Sequence, residues 1–261
     1  MYRIYLFLIL TFIYQVSSGQ TKLCILGTSH VETVKVKSED YVKAFEKFKP
    51  DIILYEADTI LNIRNSLKGL EGTIEFKSIH DYLKTNPKTL ILPFDWNGKQ
   101  DFRVKNNYWV RIDSINKVFN SYFSTGQADK LSTTTFEVYS DFNNAVSEIH
   151  NENLETLNKP YVRKLVELKS KWEYYKILDM ANANETLKKL VPSLQMAKDY
   201  WDIRNKEMTK NILNIVKQYP NKRILVQTGN FHKYYLYNEL ETKQKDNNFI
   251  IVEYWEKKNS Q

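Results

Sequence analysis

The chain holds one cysteine, Cys24, seven glycines, six prolines and four histidines among 261 residues. A single cysteine excludes an internal disulfide framework and every zinc motif built on paired cysteines, so the core must hold by packing alone. So few glycines and prolines exclude collagen-like, low-complexity and long-linker architectures. No repeat of fixed period is present, which excludes solenoids and propellers. Past the N-terminal residues no apolar run reaches the roughly 20 residues that a bilayer span requires. There is also no zinc-finger spacing and no RNA-binding aromatic motif. The net charge of +7 is spread along stretches where lysines alternate with Glu and Asp, the pattern of solvated helix faces rather than of a nucleic-acid surface.

What is present is 42% hydrophobic and 14% aromatic, enough for one globular domain with an ordinary core. The first stretch, "MYRIYLFLILTFIYQVSSG", reads as an export signal. Arg3 gives the positive start, Ile4 to Tyr14 the apolar centre, and Ser17 with Gly19 the small-residue cleavage site. The expected mature chain begins at Gln20, is periplasmic or secreted, and has no membrane span. Lys22 and Leu23 before Cys24 are not a lipoprotein cleavage site.

Five short apolar runs have the character of parallel strands buried on both faces: 22–27, 51–56, 89–96, 223–229 and 248–255. Between the first two, Ser38 is a candidate cap, Tyr41, Val42, Phe45 and Phe48 make one stripe, and Pro50 is a stop. Strand, helix, strand predicts a right-handed crossover and an α/β fold with a mostly parallel sheet flanked by helices. From about 106 to 192 strand-like runs vanish and amphipathic helical patterns replace them. This predicts a single domain over 20–261 with a long helical insertion between the third and fourth strands. A long helix ended by Pro220 then leads into the fourth strand.

Two short frames recur at opposite ends of the chain, "GTSH" from Gly27 to His30 and "GNFH" from Gly229 to His232. Each follows a predicted strand, so each opens on the carboxyl edge of the sheet, where open parallel sheets bind ligands. The two glycines are expected to give the backbone freedom to turn. Glu56 ends the second strand and Asp95 follows the third; a carboxylate after four apolar residues needs a partner. His30, His232 and Glu56 form a plausible set of ligands for a divalent ion such as Mn, Co or Zn, with Asp95 orienting a ring behind them. The same residues could work without metal, with Glu56 as general base and a histidine polarising the substrate. His80 and His150 lie in polar surroundings and read as surface residues. Arg204 falls in an otherwise apolar helical stripe with Tyr200, Met208 and Ile212. It either snorkels to the helix edge or reaches the site to hold Glu56 or a developing negative charge.

In order along the chain, "GTSH", "LYEAD", "RNKEM" and "GNFH" resemble the motifs of the TraB/GumN superfamily, which includes the TIKI proteases and pheromone-shutdown proteins. The resemblance spans almost the whole mature chain. It implies a fold related to erythromycin esterases and to haem-binding ChaN-like proteins, and a site built from His30, Glu56, Arg204 and His232. It also implies metal-dependent peptidase activity. The expectation is therefore an exported hydrolase that takes a peptide or small-molecule substrate, with the helical insertion as lid or groove. A binding protein that captures a peptide, haem or small molecule without turnover is the competing class. The sequence carries no signal for oligomeric state.

Overall fold

The computed structural model describes residues 19–256 except Glu71 and Gln127. Apart from Gly19, the expected export signal lies outside the described residues. Five strands form one all-parallel sheet: β1 (Thr21–Thr28), β2 (Ile52–Tyr55), β3 (Leu90–Pro93), β4 (Arg223–Gly229) and β5 (Phe249–Ile251), in the order β3-β2-β4-β1-β5. All five lie where the apolar runs placed them. β5 is shorter than its run: it pairs with β1 only over Phe249–Ile251, and Tyr254 turns away to pack with the core.

The apolar runs are continuous because alternate residues face two different cores. Cys24, Leu26, Ile53, Tyr55 and Leu225 point to one face. They pack there on α1 (Ser38–Phe48) and α2 (Ile74–Thr85). Leu23, Ile25, Ile52, Leu54, Ile224 and Val226 point to the other, against α9 (Val191–Gln218) and α10 (Asn230–Glu241). Ser38 is not the cap expected of it. It is the first helical residue, its hydroxyl is buried without a partner, and Asp40 accepts the Lys37 N–H at 3.0 Å instead.

Between β3 and β4 the described residues are helical or connecting. α3 (Lys99–Lys105), α4 (Tyr108–Ser124), α5 (Lys130–Ile149), α6 (Leu154–Leu157) and α7 (Pro160–Lys171) come first. A π-helical turn at Trp172–Lys176, α8 (Ile177–Ala183) and α9 follow. A separate apolar cluster joins α4, α8 and the start of α9 through Ile115, Phe119, Ile177, Met180 and Leu194. α9 stops at Gln218, two residues before Pro220, as the ring of a proline requires.

The last piece of sheet is the informative one. β4 arrives late in the chain yet sits in the middle, pairing with β1 on one side and β2 on the other. The carboxyl ends of β3, β2, β4 and β1 therefore stand side by side, followed by Asp95, Glu56, His232 and His30 respectively.

Candidate functional site

Thr28 of β1 is paired with Gly229 of β4, so the two GxxH frames are neighbours across one strand pair. Neither glycine has the positive φ expected of it. Gly229 has φ −53° and ψ 137°, and the left-handed residue is His30 itself, at φ 63°. The glycines are needed for space. A Cβ on Gly229 would overlap His30 Nε2, and one on Gly27 would come within 2.6 Å of Asn230 Oδ1. The left-handed bend turns the His30 ring back over the end of β4.

His30 is half-exposed, and its Nδ1 lies 2.9 Å from Oε1 of Glu75, which is buried in the first turn of α2. Thr28 Oγ1 donates to the same carboxylate oxygen, while Glu75 Oε2 is buried without a partner. The hydrogen bond to Glu75 raises the His30 pKa, against the opposing effect of burial. In the neutral ring it also assigns the proton to Nδ1 and leaves Nε2 with a free lone pair.

His232 carries its proton on the same nitrogen, but its pKa is shifted the other way. Its Nδ1 lies 2.8 Å from Asn205 Oδ1, and its Nε2 lies 3.0 Å from Arg204 Nη1. Arginine only donates, so Nε2 accepts and Nδ1 carries the proton. Asn205 Nδ2 donates to Trp201 O at 2.8 Å, which turns its oxygen toward the ring. Trp201 stacks on the ring at 4.7 Å between centroids. Burial, with the nearby Arg204 charge, pushes the His232 pKa down to about 4, so the ring is neutral near pH 7.

Arg204 is the hub. Its Nε and Nη2 grip Asp95 Oδ1 and Oδ2 at 2.9 and 2.8 Å, and Nη2 also reaches Glu56 Oε1 at 2.6 Å. The arginine thus points into the cluster, as one of its two readings held. The remaining Glu56 oxygen accepts from Thr228 Oγ1 and the Gly229 N–H, both at 2.7 Å. Burial alone would raise the Glu56 pKa, but the charges of His232, Arg204 and His30, together with the Gly229 N–H, hold it down to about 2. With His232 neutral near pH 7, Arg204 carries most of that effect there.

All four motif residues line one cavity of about 310 Å³, together with Lys169, Glu173, Tyr174, Trp201 and Phe231. Three expectations need correction. Asp95 orients no histidine: it holds Arg204, Lys99 Nζ at 2.7 Å and the Trp96 N–H at 2.7 Å. The ring-orienting residues are Glu75 and Asn205, neither of them singled out in the sequence. His80 and His150 are only partly on the surface: both are half-buried, His80 bonding Ile63 O at 2.7 Å and His150 lying edge-on to Phe231. Glu75 did leave a signal, since it shares a helical face with the buried Ile79 and Tyr82 at spacings of four and seven.

Lys233, next to His232, points to the other side and is buried. Its Nζ lies 2.9 Å from Asn158 Oδ1 and 3.3 Å from Glu253. Asn158 in turn bonds both the N–H and C=O of Gly27, at 2.7 and 3.1 Å, and so fixes the first frame from behind.

The donor set does not fit a metal ion as it is placed. The His232 Nε2 lone pair and both Glu56 oxygens already accept hydrogen bonds, and the guanidinium of Arg204 stands where a cation would have to sit. Among the described residues no three His, Cys, Asp or Glu side chains are grouped to hold one. No family model, curated protein or solved structure matches the chain.

Proposed function

We propose that the chain is an exported hydrolase of carbonyl substrates, with His30 as general base and the Arg204 cluster as its electrostatic frame. The observation that carries this reading is the His30–Glu75 pair. It holds the imidazole by Nδ1, leaves Nε2 of the neutral ring without a partner, and sets His30 in the wall of the cavity that Glu56, Arg204 and His232 also line. Glu56, which the sequence offered as base, is better suited to holding Arg204, because a carboxyl with a pKa of about 2 is a weak proton acceptor. Export rests on residues 1–19 of the sequence alone.

In this scheme water bonds to Nε2 of His30, and its oxygen attacks the carbonyl carbon while the ring takes the proton. The carbonyl π pair moves to oxygen. Arg204 has one Nη1 hydrogen not committed to Asp95, Glu56 or His232, available to that developing charge. Collapse expels the leaving alcohol or amine, which receives the proton from His30. The product is the free acid. Glu75 holds the imidazolium in place during the cycle without itself being consumed. The metal-dependent scheme that the TraB/GumN resemblance implies would need Arg204 to swing away from His232.

The test is hydrolysis of a mixed panel of esters and peptides by the purified mature chain, with and without exhaustive chelation. Activity that survives chelation and falls about 10²–10⁴-fold in His30→Ala is the expected result. Activity lost to the chelator and restored by Mn, Co or Zn would replace this scheme with the metal-dependent peptidase. A ligand retained through purification, with no turnover of the panel, would make the chain a binding protein.

A further inference from the structure

A second cavity, of about 300 Å³, opens beside the first between α4, α5, α8 and α9. Its deeper walls include Ile115, Phe119, Phe136, Ile177, Leu194 and Ala197, with Asn116, Asn120 and three tyrosines also on its lining. Glu173 and Tyr174 line both cavities, so a single side-chain partition separates the polar site from the apolar one. Both residues belong to the π-helical turn, a local widening of the helix that is frequent at functional sites. Tyr174 stacks on Trp201 at 4.8 Å, and Trp201 stacks on His232 at 4.7 Å, so the partition continues rigidly to the cluster around Arg204. Glu173 Oε2 lies 2.5 Å from Lys169 Nζ, which places a charged pair at the shared wall.

An apolar cavity of about 150 Å³ is enough to hold benzene, so twice that volume holds a larger group. A pocket of this lining would bind hydrocarbon and discriminate by its length, since its one charged wall residue, Glu173, is already paired with Lys169. Its position decides what the hydrocarbon is attached to, because Glu173 and Tyr174 are walls of both cavities and a group seated in one lies against the other.

We propose that this cavity is the acyl pocket of the same site, and that the substrate is an ester or amide whose acyl part is a medium-length alkyl or single-ring aryl group. The inference rests on the hydrolase reading for the chemistry, but on the shared wall for the pocket.

The experiment uses p-nitrophenyl acetate, butyrate, hexanoate and octanoate as substrates, and sodium octanoate as a binding probe in calorimetry. With the wild-type chain, kcat/KM should rise about ten-fold or more from acetate to octanoate, and octanoate should bind. Ala197→Trp, which fills the cavity, should bring the octanoate-to-acetate ratio close to one and abolish octanoate binding. Asn116→Trp, at the exposed rim, should lower the same ratio and keeps the test readable if the first variant fails to fold. A flat chain-length series without octanoate binding overturns the pocket assignment and leaves the hydrolase reading standing. Octanoate binding that Ala197→Trp blocks, with no ester turned over, does the reverse.

Discussion

His30 and Gly229 are in contact across the ends of two adjacent strands, with the imidazole lying where a side chain on residue 229 would be. Gly229→Ala should therefore displace the ring of His30 rather than strain the backbone, since φ at Gly229 is ordinary for any residue. The expected cost is about 1–3 kcal/mol of stability, with a much larger loss of turnover. Urea melts beside steady-state kinetics would separate the two, and full activity in the variant would end the placement of His30.

Glu75 should control the base through its hydrogen bond. That bond raises the His30 pKa, so Glu75→Gln should lower it and move the acid limb of the pH–rate profile to lower pH. The maximum rate should fall by about ten-fold or more, because the ring also loses its fixed tautomer. A profile that keeps its acid limb in place, with only a uniform drop, would count against the pairing.

The two histidines should titrate on opposite sides of the ordinary imidazole pKa. His232 has its native pKa depressed to about 4, below the unfolded value near 6.5. Between those values the unfolded chain binds the proton and the native chain does not, so stability falls as pH is lowered through that window. His30 is raised, so its contribution is fully present below the unfolded pKa and is lost as pH rises through its native one. Imidazole proton NMR resolves both: the His232 resonance should stay constant from pH 8 to about 5, while that of His30 moves. A shared midpoint would overturn the assignment. Glu56, depressed to about 2, adds stability above its unfolded pKa that disappears only in stronger acid.

Arg204→Met should unfold readily. It removes the cation from Glu56 and from the fully buried side chain of Asp95, and a buried ion pair broken on one side costs about 3–5 kcal/mol. Arg204→Lys should recover part of the stability but less of the activity, since an ammonium cannot grip Asp95 with two parallel bonds while reaching Glu56 and His232. Chemical denaturation of both variants is the measurement. A Met variant within about 0.5 kcal/mol of the parent would mean that the hub is dispensable.

The sequence alone determined the strands, because the central ones are buried on both faces and so nearly continuously apolar, and the more exposed edge strands β3 and β5 are short apolar runs as well. It also determined that His30, Glu56 and His232 share an edge, because in a parallel sheet every strand delivers its carboxyl end to the same side. Arg204 was legible as a cation misplaced in an apolar stripe. Which groups touch was decided only by tertiary structure. The insertion of β4 between β1 and β2 put the two histidine frames in contact, and nothing local in "GTSH" or "GNFH" encodes that neighbour. The start of α2 brought Glu75 to His30, and the turn of α9 that carries Arg204 brought Asn205 to His232. From the sequence, Glu75 was an acidic residue on an apolar helix face with no partner in view, and Asn205 an amide inside "RNKEM" with no role of its own. A side chain's protonation depends on partners that are distant along the chain, and so the different states of the two histidines appear only when the sheet is assembled.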